Sequence, residues 1–251
     1  MKKKQAKIKD WREPFRHGDI VYDEPDGLII CGDCLDVLPK FPIDSIDMLY
    51  TDPPYGLGGY AGRSGTFDKM IGDDKDAICF YSILSNVPER YFWGNHYVLA
   101  RLQNTPRDVI IWVKNRFGMG RGYRGQYEMC FYYGAFDGSD SDIWMCPLDN
   151  TYWHPTQKPV ALAIRAMRNS SDEGDIILDA FLGSGSTAIA AVQLNRRFIG
   201  IEISKEYCEL AVQRIHHAKL SQRFDVGKFN KSKKGKLKAA FTRLQKKRIN
   251  R

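Results

Sequence analysis

The chain has 251 residues, a hydrophobic fraction of 43% and a net charge of +8. This size and composition are typical of one ordinary globular domain with tails, whose core needs no disulfide or metal to be stable. No apolar run approaches the roughly 20 residues of a membrane span, and the basic N-terminus lacks the apolar stretch of a secretory signal, so we expect neither a membrane protein nor an exported one.

Apolar runs alternate with segments of helical spacing along the chain. Runs without polar alternation suit strands that are covered on both faces, and these are LIIC (28–31), IDMLYT (46–51), VIIWV (109–113), DIILDA (175–180) and RFIGIEI (197–203). The predicted helices cover 158–169, with an apolar stripe of Leu162, Ala163, Ala166 and Met167, then 186–195, and 204–220 with Ser204 as its N-cap. This alternation favours a doubly wound α/β fold with a parallel sheet.

Two glycine-rich segments interrupt this pattern and are predicted to be loops. Residues 56–74 contain six glycines, and 114–127 combine glycines with Lys114, Arg116, Arg121 and Arg124. Neither segment has the apolar side chains needed to build a core.

The six cysteines do not form a metal-binding pattern. Only Cys31 and Cys34 make a C-x-x-C pair, and the five histidines lack the spacing of a structural zinc site, which needs four ligands. We therefore expect no metal. Scattered thiols of this kind are typical of a reducing compartment, which predicts a cytoplasmic protein.

The first candidate site is TDPPYG at 51–56, directly after a predicted strand, where ligands of open α/β sheets bind. Pro53 and Pro54 lack an N–H and leave carbonyl acceptors, Asp52 adds a carboxylate, and Tyr55 adds a flat aromatic face. Acceptors beside a stacking surface suit an exocyclic amine on a planar heterocycle. The structural alternative is a Pro-Pro turn with Asp52 as a cap.

The second candidate site is DIILDAFLGSGSTAIAA at 175–191. Gly183, Gly185 and Ala188 match G-x-G-x-x-G/A between a strand and a helix, so a ligand can approach the backbone at the helix N-terminus. Glu202 lies 19 residues after Gly183, at the end of the next strand, where a carboxylate can accept hydrogen bonds from ribose hydroxyls. The motif indicates an adenosine-containing cofactor, either a nicotinamide dinucleotide or S-adenosylmethionine.

The third candidate site is HPTQKP at 154–159, which enters a predicted helix through Pro159, a good first-turn residue. A capping role accounts for Thr156, but it does not require His154, Gln157 and Lys158 beside it. We therefore favour a functional role for this segment.

Together these motifs resemble the DNA amino-methyltransferases that use S-adenosylmethionine. DPPY, then HPTQKP, then LDAFLGSGST stand in the order of the circularly permuted β-group of that family, and CGDCLDVL (31–38) and WVKNRFGMGRGYRGQYEMCFYYG (112–134) resemble two further segments of it. The resemblance covers residues 28 to 210 and departs only in GSGST, where GSGTT is commoner. It implies a Rossmann-like, circularly permuted methyltransferase fold.

The resemblance also implies roles for individual residues. Asp52, Pro53, Pro54 and Tyr55 would bind the target amine and stack on its base. Glu202 would hold the cofactor's ribose, Asp33 would meet its adenine edge, and Thr156, Gln157 and Lys158 would approach its amino-acid moiety. The remaining residues expected around S-adenosylmethionine are Asp179, Phe181, Gly183, Ser184, Gly185 and Ser186.

The implied reaction is methylation of the N6 amine of an adenine flipped out of double-stranded DNA. In the family the first residue of the tetrapeptide is more often Asp in adenine enzymes and Ser in cytosine enzymes, so Asp52 favours adenine. Methylation of cytosine N4 is the near alternative. Two other classes stay open: a nicotinamide oxidoreductase, which leaves DPPY and HPTQKP without a role, and a non-catalytic DNA-binding protein with a relict cofactor pocket. RNA is a further alternative substrate.

Charge and loops predict how the chain is organised. Residues 2–9 hold five lysines, and 228–251 hold 11 Lys and Arg and no acidic residue. The 227 residues before 228, which include 2–9, carry a net charge of −3. Such ends are solvated arms or arms that contact phosphates. We expect a basic N-terminal arm at 1–16, a methyltransferase domain at 17–221 with target-recognition loops within 56–153, and a basic flexible tail at 222–251. The expected partner is DNA in a restriction–modification setting, and the resemblance is compatible with a homodimer.

Overall fold

A large mixed sheet forms the centre of the computed structural model, which describes residues 10–55, 84–115, 125–148 and 157–223. Its nine described strands are β1 (Asp19–Glu24), β2 (Gly27–Cys31), β3 (Met48–Thr51), β4 (Glu89–Gly94), β5 (Asp108–Val113), β6 (Tyr127–Tyr133), β7 (Ile143–Met145), β8 (Ile176–Asp179) and β9 (Arg197–Glu202). The described helices are α1 (Cys34–Val37), α2 (His96–Leu99), α3 (Val160–Ser170), α4 (Ser186–Gln193) and α5 (Lys205–Arg223), with short 3-10 turns at Glu13–Phe15, Leu38–Lys40 and Ile43–Ser45.

The strands lie in the order β1-β2-β9-β8-β3-β4-β6-β5-β7. Pairing is parallel from β2 to β4, whereas β1 and β6 run against their neighbours. All five strands predicted from apolar runs are present, and the expected α/β fold with a mostly parallel sheet is confirmed. Strands β1, β4, β6 and β7 were not predicted.

Both faces of the sheet are covered, as the continuous apolar runs required. In β2, Ile29 packs on the face covered by α3, α4 and α5, while Leu28 and Ile30 pack on the opposite face with α1 and the 3-10 turns. The stripe Leu162, Ala163, Ala166 and Met167 of α3 is buried as predicted. Ser204 precedes α5 and its hydroxyl accepts a hydrogen bond from the Tyr207 N–H at 3.4 Å, in agreement with the predicted cap.

Ordered packing begins before residue 17. Phe15, which the predicted boundary places in the N-terminal arm, is 1% exposed and packs edge-on against Phe41. Arg12 and Arg16 pair with Asp10 and Asp23, so this short segment is also tied to β1. Residues 10–16 therefore pack on the domain, although the predicted boundary assigns them to the arm.

The order in which successive strands are added to the sheet reverses between β8 and β3. From β8 the chain passes through α4 to β9 on one side, whereas β3 pairs with β4 on the other side. At such a switch point the connections diverge and leave a crevice at the carboxyl ends of the strands. Two of the predicted sites, at the ends of β3 and β8, therefore meet there. Among the described residues, no helix has the length and apolar character needed to cross a membrane.

Candidate active site

Asp179, at the end of β8, connects the two strands of the switch point. Its Oδ1 accepts hydrogen bonds from Thr51 Oγ1 of β3 at 2.8 Å and from the Phe181 N–H at 3.1 Å, and its Oδ2 accepts one from Thr187 Oγ1 of α4 at 2.6 Å. Burial raises the pKa of Asp179 to about 6, and the hydrogen bonds from Thr187, Phe181 and Thr51 limit that rise. Asp179 thus fixes the spacing between the two candidate sites.

The glycine turn between β8 and α4 has the backbone geometry that its sequence predicts. Gly183 and Gly185 have φ values of 53° and 84°, a left-handed conformation that glycine adopts without strain. At Gly185 a Cβ atom would also lie 2.9 Å from Ala211 Cβ of α5, so the absence of a side chain lets α4 and α5 approach each other. Glycine therefore serves the turn at both positions, and at 185 it also serves the packing of α4 on α5.

Two serines of the turn offer hydroxyl groups at the same place. Ser184 Oγ donates to Gln157 Oε1 at 3.2 Å and accepts from Arg214 at 2.7 Å. Ser186 Oγ is buried at the first residue of α4 and has no hydrogen-bond partner among the described residues. A buried hydroxyl without a partner costs free energy unless a ligand or water satisfies it, which fits a ligand bound against this turn.

Glu202, at the end of β9, lies against the glycine turn. Its two oxygens accept hydrogen bonds from the Gly183 and Ser204 N–H groups, both at 2.8 Å. Burial raises the pKa of Glu202, while these backbone hydrogen bonds oppose the rise. The next strand end is β2, where the Gly32 N–H donates to the Glu202 carbonyl at 2.9 Å and Asp33 accepts from the Leu35 N–H at 2.9 Å to cap α1.

Apart from Gln157 and Lys158, the predicted cofactor residues that the structure describes therefore lie along the ends of β2, β9 and β8. Thr51, next to Asp52, is hydrogen-bonded to Asp179, so this row of residues adjoins the tetrapeptide. The donor set fits an adenosine: two carboxylates for hydroxyl and amine groups, a glycine turn that a ligand can approach closely, and an unpartnered hydroxyl. His154 and Thr156 lie outside the described residues, as do 1–9 and 224–251 of the predicted tails, the whole of the predicted loop 56–74 and residues 116–124 of the second loop.

Asp52, directly after β3, lies at the centre of a cluster of charges. Its Oδ1 accepts a hydrogen bond from Tyr55 Oη at 2.7 Å, and its Oδ2 forms an ion pair with Lys158 Nζ. Lys158 Nζ also pairs with Glu128 Oε2 of β6 at 2.9 Å, and Glu128 pairs in turn with Lys114. The side chain of Lys158 is only 8% exposed, whereas that of Asp52 is 25% exposed and accessible to a ligand.

Burial and charge act in opposite directions in this cluster. Burial raises the pKa of Asp52, and the ammonium of Lys158 offsets this in part. Burial also opposes ionisation of Glu128, but Lys158 and Lys114 outweigh it and lower the pKa of Glu128. Burial likewise disfavours the charged form of Lys158, yet Asp52 and Glu128 raise its pKa, so its ammonium stays protonated.

Adjacent residues before α3 reach the two halves of the site. Gln157 contacts the glycine turn, and its role toward the cofactor stays a prediction. Lys158, also predicted to approach the cofactor, has its ammonium on Asp52 and over the face of Trp93 at 5.0 Å. Lys114, at the start of the second predicted loop, pairs with Glu128. Glu128 and Trp93 were not predicted: Glu128 lies in the family-like segment 112–134 but has no expected role there, and Trp93 lies in none of the motifs.

Comparisons with known proteins agree with this geometry. A family model described as DNA methylase, for N6 and N4 methyltransferases, matches residues 135–213. The chain is 30% identical over 234 residues to the type II methyltransferase M.HpaI of Haemophilus parainfluenzae, covering 76% of this chain and 74% of that protein. It is 27% identical over 268 residues to the DNA adenine methyltransferase YhdJ of Escherichia coli (strain K12), an alignment that covers 83% of this chain and 89% of that protein.

Solved structures are similar as well. The M1.HpyAVI–SAM complex is 26% identical with a TM-score of 0.55, over 75% of this chain and 99% of that one. The PvuII DNA methyltransferase, which is cytosine-N4-specific, superposes with a TM-score of 0.60 over 91% of this chain and 96% of that one. At 14% sequence identity this is a likeness of fold alone. With the predicted motifs on the ends of adjacent strands and a relative at 30% identity over most of its length, the chain belongs to the N6/N4 DNA methylase family.

Proposed function

We propose that this protein transfers a methyl group from S-adenosylmethionine to the N6 amine of an adenine in double-stranded DNA. The observation that carries the proposal is the position of Asp52 at the end of β3, beside the glycine turn that follows β8. A carboxylate that accepts an amine hydrogen is thereby next to the turn where an adenosine would bind. S-adenosylmethionine, when bound, supplies an activated methyl group on a sulfonium sulfur.

Asp52 and the Pro53 carbonyl are the proposed acceptors for the two amine hydrogens. The lone pair of an adenine amine is delocalised into the ring, which makes the amine a poor nucleophile. Acceptors on both N–H groups favour a tetrahedral nitrogen whose lone pair is directed at the methyl carbon. Transfer would form the C–N bond as the C–S bond of the bound cofactor breaks, and Asp52 would accept the proton that the nitrogen loses. Positioning and electrostatics provide the acceleration.

Tyr55 is the proposed stacking surface for the target base. A base inside a duplex cannot reach the end of β3, so it must rotate out of the stack. Tyr55 is partly buried against the core cluster on one face of the sheet, and its hydroxyl donates a hydrogen bond to Asp52 at 2.7 Å. The ring is therefore oriented before a base arrives.

Asp52 and the name of the Escherichia coli relative support adenine as the target base. Cytosine N4 presents the same amine chemistry and remains the alternative. Double-stranded DNA is the proposed partner, and an enzyme that modifies DNA is expected to work inside the cell. A homodimer stays a prediction.

The proposal is tested by methyl transfer to unmethylated duplex DNA from labelled S-adenosylmethionine, with wild-type protein and Asp52→Ala. We expect transfer by the wild type and a loss of about 100-fold or more in the variant, in the range found when an electrostatic group of an active site is removed. Cofactor affinity, measured by calorimetry, should be retained in the variant. Equal activity of the two proteins would show that Asp52 does not bind the amine.

A further inference from the structure

The charge cluster around Lys158 contains a carboxylate that the proposed reaction does not use. We propose that Glu128 is a positioning residue: it holds the Lys158 ammonium so that Asp52 can turn from Lys158 to the amine of the target base. This inference rests on the proposed function and adds a residue that directs the acceptor without contacting the base.

Both oxygens of Asp52 already have donors. Tyr55 Oη occupies Oδ1 and Lys158 Nζ occupies Oδ2. Each oxygen can accept a second hydrogen bond, but a positively charged donor on Oδ2 competes with an incoming amine for that oxygen. Lys158 occupies the place of a nitrogen donor against the carboxylate, as the target amine would, so we take it as the group that moves back.

Lys158 can release Asp52 only if its charge stays paired. Its side chain is 8% exposed, and a buried ammonium without a carboxylate costs far more than a neutral group. Glu128 Oε2 lies 2.9 Å from the same Nζ, and the ring of Trp93 lies 5.0 Å from it. Glu128 is thus a second carboxylate already in place, so a small shift of the ammonium exchanges one ion pair for a stronger contact with the other.

Lys114 keeps Glu128 ionised for this task. It pairs with the Glu128 carboxylate from the end of β5, over the face of Trp112. The four groups, two ammoniums and two carboxylates, have no net charge. When Glu128 is neutral, Lys158 has Asp52 as its only carboxylate among the groups of the cluster, and the two should hold each other more tightly.

The other titratable groups that face Asp52 come from several elements, and they are Tyr55 on its own loop, Tyr50 on β3, Cys130 on β6 and Asp179 on β8. Burial raises the pKa of Tyr50 and of Cys130 well above their ordinary values, so both stay neutral. Asp179, with its pKa raised by burial to about 6, is common to all variants. A difference between variants therefore reports a change at Asp52.

The test is the pH dependence of single-turnover methyl transfer. Asp52 must be ionised to accept the amine hydrogen, so the rate rises with pH through its pKa. We call this rising part of the pH–rate profile the acid limb. Glu128→Gln removes a negative charge near Asp52, which lowers the pKa of Asp52 and should move the acid limb to lower pH. The rate on the plateau above the limb should nevertheless fall by about 10- to 100-fold, because Lys158 holds Asp52 more tightly. Lys158→Gln removes a positive charge and should move the limb to higher pH.

Two variants serve as controls. Glu128→Asp keeps the charge and should leave the acid limb where the wild type has it. Glu89→Gln neutralises a carboxylate on β4 that is hydrogen-bonded to Tyr132, at the opposite end of the strand, and should change stability without moving the limb. Cofactor affinity should stay within about threefold of wild type in all of them, since no member of the cluster contacts the glycine turn.

If Glu128 has only a structural role, its variants should lower the plateau rate without shifting the acid limb, or Glu128→Gln and Glu128→Asp should shift the limb equally. Either result would overturn the inference. If Lys158→Gln does not fold, the two Glu128 variants decide the question alone. Absence of methyl transfer by the wild type would contradict the proposed function itself, which is a separate outcome.

Discussion

Asp52 has to be an anion in a place that disfavours anions. Burial raises its pKa, and the ion pair with Lys158 and the hydrogen bond from Tyr55 counteract that rise. The same two donors occupy the oxygens that the target amine needs. Reactivity at the end of β3 therefore depends on donors that stabilise the carboxylate and can still be displaced by a substrate.

Two variants of Tyr55 separate the contribution of base stacking from that of the hydrogen bond to Asp52. Tyr55→Ala removes the ring and should raise the KM for DNA by about 10-fold or more, because base stacking on an aromatic side chain contributes about 1–3 kcal/mol. Tyr55→Phe keeps the ring and loses only the bond to Asp52, so its KM should stay near that of wild type. Steady-state kinetics on unmethylated duplex DNA checks both values, and equal KM values for the two variants would argue against stacking.

The turn between β8 and α4 can be tested as an element, with a control inside the same chain. Gly185 and Gly174 have φ values of 84° and 85°, so alanine meets the same backbone strain at both, about 1–2 kcal/mol. Only at Gly185 would the new Cβ press on Ala211, at 2.9 Å, whereas nothing lies within 4 Å at Gly174.

We expect Gly185→Ala to be less stable than Gly174→Ala in urea unfolding, and to bind S-adenosylmethionine more weakly because α4 is displaced from α5. Gly174→Ala should retain wild-type cofactor affinity. If both variants lose the same stability and both retain that affinity, the close approach of the helices is not needed for the site.

Elements differ in how far their sequences predict them. Strands β2, β3, β5, β8 and β9 are continuous apolar runs, so their burial on two faces is legible in the sequence. In β4 and β6, ERYFWG and YEMCFYY, polar residues and aromatic rings share the strand, and β7 has only three residues. Their pairing at the far side of the sheet is decided by tertiary contacts, which single-sequence patterns do not contain.

The candidate site shows the same division. The rule that ligands gather at carboxyl ends of parallel strands predicts that Asp33, Asp52 and Glu202 lie along one edge. Glu128 escapes this rule because it lies near the amino end of β6, which reaches the same edge only by running antiparallel. The ion pair between Asp52 and Lys158 joins residues 106 positions apart, so the sequence alone does not predict that the two side chains meet.

At the scale of the whole molecule, the charge is divided between a slightly acidic body and basic ends. The segment 228–251 carries 11 Lys and Arg without an acidic residue. Deleting it should weaken DNA binding and flatten the dependence of the binding constant on salt, because each lost phosphate contact reduces the log–log slope by about 0.9. A variant with these 11 residues changed to Gln should behave in the same way, which separates charge from chain length. An unchanged salt slope in titrations of duplex DNA would show that the tail is only solvated.

The most direct test of the account is the identity of the methylated base. Purified protein, methyl-labelled S-adenosylmethionine and unmethylated double-stranded DNA are incubated, and the DNA is digested to nucleosides for mass spectrometry. We predict that the label appears in N6-methyladenine. Label in N4-methylcytosine would keep the chemistry of Asp52 but contradict the assigned base, and DNA without label, with the cofactor bound, would contradict DNA methylation as the function of this protein acting alone.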